Sequence, residues 1–524
     1  MPNKSLAQIS FLFLIITLLA LGIYFRVTNL DTQIYWHDEV FTSLRVSGFT
    51  EAETVKQVFN GQPITVKDLD KYQNANGEKG VGDIIKGLAV EDSQHPPLYF
   101  LLARLWEQVF GGSVAVKRCL PALLSLLVFP SVYWLCLELF HVPVSGWVAM
   151  GILAISPFHV LFAQESREYS LWTVSILLSS AALLRAMRLK SIASWAVYTL
   201  TLTLSLYTFL FSVLVAIGHG IYVIVTERFR LTQTTIAYLL ASFTGLLLSI
   251  PWILTVAINL STIRASTAWM TKAPAALSNR LTLVGLLKKW LQGLSYVFVD
   301  PGVNYRLKNI ILLILVGYAF YFLARTVSRQ AFLFVLTLTL PTFLVLALPD
   351  VILGGNRSTI YRYLIPSYLG IQIAVASLLA FKISDASVKS WQRSLWRVVM
   401  IAVFSVGIFS CYVNSKTEVP WSKAKGQNQY NSEIAKVINE ANNPLLVSDV
   451  GLGDIFSLAH KLKPEVRLQL ITTPNVPRIA DRASTFVFNP SDQLRLALEK
   501  SQSLKLEPVE PKKLGGQLWT VVKN

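Results

Sequence analysis

Asp38 and Glu39 stand side by side in Tyr35-Trp36-His37-Asp38-Glu39, shortly after the first apolar segment of a 524-residue chain. Carboxylates are costly near a bilayer and by default mark a functional site there. Tyr and Trp beside them are residues that settle at a lipid–water interface. The chemistry that a positioned carboxylate offers is proton transfer. The competing reading is a pair of solvated loop carboxylates.

Other residues of the same kind recur further along. His95 precedes Pro96-Pro97, the turn Gln164-Glu165-Ser166-Arg167-Glu168-Tyr169 carries three charges, and Arg357 and Arg362 bracket a short polar stretch. A guanidinium matches phosphate geometry. Each residue also has a structural reading. His95 caps a helix that begins with proline, a favoured first-turn residue. Arg167 pairs with Glu165 or Glu168 across the turn, and Arg357 and Arg362 snorkel from helix ends.

The elements that must position these groups are membrane helices. With 53% hydrophobic and 15% charged residues, the chain is too apolar for an ordinary soluble multidomain protein. Apolar runs predict eleven spans near 9–25, 118–140, 146–163, 169–187, 194–208, 210–226, 233–255, 308–324, 330–348, 361–381 and 395–413. The first runs into Tyr24-Phe25-Arg26 rather than a small-residue cleavage site, which makes it an uncleaved anchor. Lys4 places the N-terminus in the cytoplasm.

The formal charge of +17 raises nucleic-acid binding, which predicts basic clusters with interleaved aromatics on soluble segments. Here many cations sit in short gaps between apolar runs, so they are topology signals and no nucleic-acid partner is expected. Cys119, Cys136 and Cys411 fall in or beside apolar stretches, as buried thiols do.

Pro96 to Phe110 is apolar but contains Arg104 and Glu107, and it is shorter than the roughly 17–25 residues of a spanning helix. Laid flat on the outer surface, it puts the gaps with Arg185/Arg188/Lys190, Arg228/Arg230, Arg325/Arg329 and Lys382/Lys389/Arg393/Arg397 inside, as the positive-inside bias requires. Four polar regions then share the outer face: 26–117, the turn at 164–169, the loop 256–307 and the loop 349–360.

The expected fold is an α-helical polytopic membrane protein of about eleven transmembrane helices with a small C-terminal extracytoplasmic α/β domain. The transmembrane domain covers 1–413, with 26–117 as its first outer loop, and the α/β domain covers 414–524. Strands are predicted at 445–447, 466–471, 485–488 and 518–522, and helices at 432–442 and 491–500. No internal repeat is visible, which weakens a transporter reading.

Taken in order, Trp36-His37-Asp38-Glu39, His95-Pro96-Pro97-Leu98-Tyr99-Phe100, Arg118-Cys119-Leu120-Pro121, Ser156-Pro157-Phe158 with Gln164 to Tyr169, and Arg362-Tyr363-Leu364-Ile365-Pro366 resemble bacterial relatives of the protein O-mannosyltransferases. The chain is similar to GT-C glycosyltransferases of the dolichyl-phosphate-mannose-protein mannosyltransferase superfamily (glycosyltransferase family 39), near the aminoarabinose transferases. The resemblance covers roughly 10–370 and is strongest in the first third.

The resemblance implies transfer of a hexosyl or pentosyl unit from a polyprenyl-phosphate donor to a hydroxyl-bearing acceptor (protein, lipid or glycan) at the outer face of the cell membrane, with inversion. It implies Asp38 as the base that activates the acceptor and Glu39 as its partner. Arg362, Arg167 and Arg357 are the candidates for the donor phosphate. His95, Glu165, Glu168 and Tyr169 are candidates for acceptor or metal contacts. No Asp-X-Asp pair lies beside Asp38, so metal dependence is not inherited and the cofactor is left open, a divalent metal included. Many relatives carry a histidine after Tyr-Thr, where this chain has Tyr207-Thr208-Phe209-Leu210, so an acceptor contact there is expected to be missing. The alternative is a transporter or flippase for a lipid-linked saccharide, which needs a lipid groove and outer cations but no base. Transport favours charges near the midplane of several helices, whereas here most sit at the rims.

Overall fold

The computed structural model describes the chain except residues 1–5, 272–282, 304–306, 386, 424–427, 475, 477–478, 480–483, 502–503, 510–513, 515 and 524. It folds as two units. The first comprises Met1–Thr28, Asp92–Tyr99 and Arg118–Lys416, and the second Asn29–Glu91, Phe100–Lys117 and Thr417–Asn524.

The apolar runs are helices. Among the described residues, eight are long and apolar enough to cross a membrane: Ile9–Val27, Val114–Phe140, Tyr169–Leu189, Gln233–Ile258, Lys308–Thr326, Arg329–Ile352, Tyr361–Ser384 and Ser390–Ser415. Pro143–Ala154 and Pro157–Ala163 meet at a 62° bend and make a ninth if they form one span. Helices also occupy the two remaining expected positions, but Ile192–Thr208 has 17 residues and Ser212–Thr226 has 15. At 1.5 Å per residue they reach about 25 and 22 Å, at and below the lower end of the roughly 17–25 residues of a spanning helix. Among the described residues, eight or nine of the eleven expected positions meet the length and composition of a span, so the exact count of eleven is not confirmed.

Polar gaps end these helices by capping them. Ser191, Thr232 and Ser328 accept hydrogen bonds from the backbone N–H groups of Ser194, Thr235 and Ala331, the N-cap arrangement that satisfies an orphan donor. Small residues let helices approach. A Cβ at Gly218 would lie 2.2 Å from the Thr337 carbonyl oxygen, so only glycine permits that crossing.

The second unit is built on a six-stranded sheet of order β1-β3-β2-β4-β6-β5, with β1 Asn60–Thr65, β2 Leu445–Ser448, β3 Arg467–Ile471, β4 Thr485–Phe488, β5 Leu504–Pro508 and β6 Leu518–Lys523. β2 pairs in parallel with β3 and β4, and the other pairings are antiparallel. Helices Asn431–Glu440 and Asp492–Ser501 fall where expected, and Leu452–Ala459 is additional.

The expected boundary at 413/414 needs correction. β1 comes from the first polar loop and pairs with β3, from Asn60↔Ile471 to Thr65↔Arg467. Val40, Leu44, Phe49 and Tyr72 bury themselves in one core with Ile434, Leu446, Phe456 and Leu468. Most of 26–117 therefore folds with the C-terminal residues. The helix Leu98–Phe110 has 13 residues, and from Phe100 onwards it belongs to this unit. Its Arg104 donates to the carbonyls of Val46 (3.0 Å) and Lys79 (2.6 Å), and Glu107 accepts from the Ala75 N–H at 3.1 Å.

Candidate active site

In the first unit the turn 164–169 is presented by a deliberate break in a helix. Arg26, wholly buried, donates to the carbonyls of Leu153 (2.9 Å) and Ala154 (2.6 Å), where the helix Pro143–Ala154 exposes acceptors that have no partner within the helix. Ser156 donates to the Val297 carbonyl at 2.7 Å, and Pro157 starts the next short helix. That helix ends at Gln164, whose amide donates to the carbonyls of Phe25 (2.8 Å) and Thr28 (2.7 Å). The sequence signal for the break was Ser156-Pro157; Arg26 as its cap went unrecognised.

The turn brings four of the expected residues together. Glu168 Oε1 lies 3.0 Å from His95 Nδ1 and 3.3 Å from Arg167 Nη2. Arg167 Nη2 is 3.5 Å from His95 Nε2, and Asp92 Oδ1 is 3.8 Å from that same nitrogen. Burial by itself would raise the Glu168 carboxyl, but the charges of Arg167 and His95 outweigh it and hold the pKa down to about 2. Glu168 also precedes the first turn of Tyr169–Leu189, where the helix dipole favours an anion. The pairing of Arg167 with Glu168 is the structural reading made real, yet it leaves a planar cation in a fixed orientation.

Tyr169 is flanked by two guanidiniums, with Arg167 5.7 Å and Arg362 5.8 Å from its ring centroid. Arg362 is also 5.5 Å from the Tyr363 ring. Phe209, at the position where histidine was expected in relatives, packs 4.5 Å from Trp172, 6.0 Å from Tyr169 and 6.2 Å from His95. An aromatic wall stands there in place of an imidazole.

Arg357 behaves differently. Its Nη1 pairs with Asp350 Oδ1 at 2.9 Å and donates to the Gly354 carbonyl, while Asp350 Oδ2 accepts from the Ser358 N–H and hydroxyl, both at 2.7 Å. This knot folds the 350–358 turn. Glu165 is fully buried, and its carbonyl accepts from the Arg167 N–H at 2.6 Å. Among the described residues, no group of three His, Cys, Asp or Glu side chains is placed to hold a metal ion.

Between the helices Lys308–Thr326 and Ser390–Ser415 lies a cavity of about 870 Å³ lined by Leu312, Leu315, Tyr318, Trp396 and Val403, with Lys308 the one charged residue of its lining among the described residues. The rings of Tyr318 and Trp396 stack at 5.6 Å.

In the second unit, Asp38 and Glu39 occupy the first turn of the helix His37–Ser47, which follows Trp36 in extended conformation. Acidic residues are favoured at that end by the helix dipole. Asp38 is half-buried. Glu39 is wholly buried and ion-paired at 3.4 Å with Lys423, itself wholly buried. Lys117, also buried, donates to Ser43 Oγ at 3.0 Å and to the Gln73 carbonyl. The strand-like entry to the helix is pinned from the C-terminal side: the Ile34 N–H donates to the Glu418 carbonyl at 3.0 Å, and Ser457 Oγ donates to the Tyr35 carbonyl at 2.6 Å. Lys423 and Ser457 carried no sequence signal, since nothing local in a chain announces a partner hundreds of positions away.

Residues 94–254 match the family described as dolichyl-phosphate-mannose-protein mannosyltransferase. No curated protein matches the chain in sequence. In fold, the chain is similar to ArnT from Cupriavidus metallidurans, both bound to undecaprenyl phosphate (TM-score 0.54) and in the apo state (TM-score 0.55), at 12% identity over 97% of each chain. It is also similar to the archaeal oligosaccharyltransferase AglB from Archaeoglobus fulgidus in complex with an inhibitory peptide and a dolichol-phosphate. That match has a TM-score of 0.50 and 11% identity, covering 88% of this chain and 65% of the other.

Proposed function

We propose that this GT-C-type membrane protein transfers a sugar from a polyprenyl-phosphate donor to a hydroxyl-bearing acceptor, with inversion at the anomeric carbon. The observation that carries the reading is the pair of guanidiniums, Arg167 and Arg362, set about Tyr169 and backed by Glu168 and His95. Arg167, Glu168, His95 and Tyr169 all lie in the segment that matches the mannosyltransferase family. Support also comes from the fold, since two proteins that share it were solved with undecaprenyl phosphate or dolichol-phosphate bound. No comparison favours a transporter.

In the proposed reaction Asp38 accepts the proton of the acceptor hydroxyl as that oxygen bonds to the anomeric carbon. The bond from that carbon to the phosphate oxygen breaks on the opposite face, and its electron pair leaves with polyprenyl phosphate. The leaving phosphate gains one negative charge, which Arg362 and Arg167 stabilise through charge-assisted hydrogen bonds worth roughly 1.5–3 kcal/mol each. Glu168 orients Arg167. Glu39, buried against Lys423, positions the helix start without touching substrate. The cavity between Lys308–Thr326 and Ser390–Ser415 is of the size and apolar character of ligand sites and suits part of an isoprenoid tail. The transferred unit is a hexosyl or pentosyl group, the protein sits in the cell membrane with its N-terminus in the cytoplasm, and the second unit is extracytoplasmic.

The test is the lipid profile of cells lacking the protein. Accumulation of one polyprenyl-phosphate sugar is expected and identifies the donor; an unchanged profile argues for another role.

A further inference from the structure

His37 lies next to the proposed base, and the C-terminal part of the second unit grips it on three sides. Its backbone N–H donates to Asn428 Oδ1 at 3.3 Å, and Asn428 Nδ2 donates to Asp454 Oδ1 at 3.2 Å. The same Asp454 oxygen stands 3.7 Å from His37 Nδ1. Gly453 makes room for the ring: a Cβ there would fall 2.3 Å from His37 Nδ1. Phe41, one turn on, packs against the imidazole at 4.9 Å.

We propose that His37 is a positioning residue for the transfer step: clasped by Asp454 and Asn428 against Gly453, it fixes the turn from which Asp38 presents its carboxylate, and it does so best as an imidazolium. The inference rests on the reading of Asp38 as the base. Geometry explains the need for a clasp, because a general base works only within hydrogen-bond reach of the proton that it takes. The first turn of a helix has few bonds of its own to hold it there.

Among the described residues, the charges that act on the imidazole are acidic: Asp454 from the helix Leu452–Ala459, Asp38 from its own helix and Glu51 from the next. Burial lowers the His37 pKa, but Asp454, 3.7 Å from Nδ1, together with the charges of Asp38 and Glu51, outweighs it and leaves the pKa raised. A raised pKa means that the ion pair is complete below the ordinary value near 6.5 and is lost as pH rises through the raised one. The clasp therefore loosens on the alkaline side.

The experiment uses the full chain in membranes of a strain lacking the native protein, with the polyprenyl-phosphate lipid extract of that strain as donor. Wild-type turnover should fall as pH rises through the His37 pKa. In Asp454→Asn the fall should begin at lower pH. In His37→Gln it should vanish while turnover drops about tenfold at unchanged donor KM. Gly453→Ala evicts the ring without altering any charge and should mimic His37→Gln. A readout independent of turnover is the hydrogen exchange of the Glu39 and Val40 amides, which donate to the Trp36 carbonyl. Their protection should be lost in Gly453→Ala while that of β2 persists. An unmoved pH profile in Asp454→Asn, with Asp38→Asn inactive, overturns the clasp alone. Normal transfer by Asp38→Asn overturns the base assignment and the clasp's purpose with it.

Discussion

Glu39 Oε2 and Lys423 Nζ meet at 3.4 Å, 384 positions apart in sequence and both shut away from solvent. Pairs of this kind are asymmetric in energy. Removing one partner strands a buried charge, whereas replacing both by well-packed neutral groups is often neutral.

Lys423→Met should therefore destabilise the second unit by about 3–5 kcal/mol, while Glu39→Gln with Lys423→Met should recover much of that loss. Thermal unfolding of the single and double variants checks the sign. A double variant no more stable than Lys423→Met would mean that the pair is not the feature that matters.

Asp38→Asn removes basicity at nearly constant shape. Turnover should fall by about two to four orders of magnitude with an unchanged unfolding temperature and donor binding. Near-normal turnover would remove Asp38 from the mechanism.

Arg362→Ala should raise the donor KM about tenfold or more, the equivalent of one charge-assisted bond. Arg362→Lys should recover part of it, since lysine supplies a charge without the two-pronged geometry. Arg357→Ala should act on folding instead, because Arg357 is committed to Asp350 and the Gly354 carbonyl. Donor saturation curves together with melting curves separate the two. If Arg357→Ala alone changes donor KM, the roles are exchanged.

Glu168→Gln tests the other side of the cluster. A carboxyl held at about 2 against an ordinary 4.5 contributes about 3 kcal/mol of stability above pH 4.5, and this is lost as pH falls towards 2. The stability gap between wild type and Glu168→Gln should be constant near neutrality and narrow below pH 4.5. A gap independent of pH down to 2.5 would show that the charge is not what stabilises the turn.

Topology is checked with an impermeant thiol reagent on a background in which Cys119 is replaced. Cysteines at Gly77 and Lys505 should label in intact cells, and one at Ile192 only after the membrane is opened. The reverse pattern would invert the orientation.

Much of this molecule was legible in its sequence. Apolar runs mark every long helix, because the bilayer leaves a continuous stretch of residues no alternative, and alternation found four of the six strands. β1 was missed because Asn60-Gly61-Gln62-Pro63 looks like loop and becomes a strand only through β3. Of the candidate site, Arg167, Glu168, His95 and Tyr169 stand together in the fold, as the sequence allows when three of the four are neighbours. Arg357 was a phosphate candidate beside its structural reading, because a charge in an outer loop carries no mark of its partner, and Asp350 appears as a partner only in three dimensions. Lys423 and Asp454 were invisible for the same reason.

The pairing of β1 with β3 sets a clock. Residue 467 leaves the ribosome roughly 400 residues after residue 65, an interval on the order of 20–80 s at about 5–20 residues per second. Until then the loop that bears Asp38 lacks its sheet neighbour, and for most of the interval it lacks Lys423 as well. A chain whose synthesis stops within or just after the last span would have its long helices but leave the Asp38 loop without its sheet neighbour. The loop that bears Asp38 therefore takes its folded form only after β3 has been made, late in synthesis.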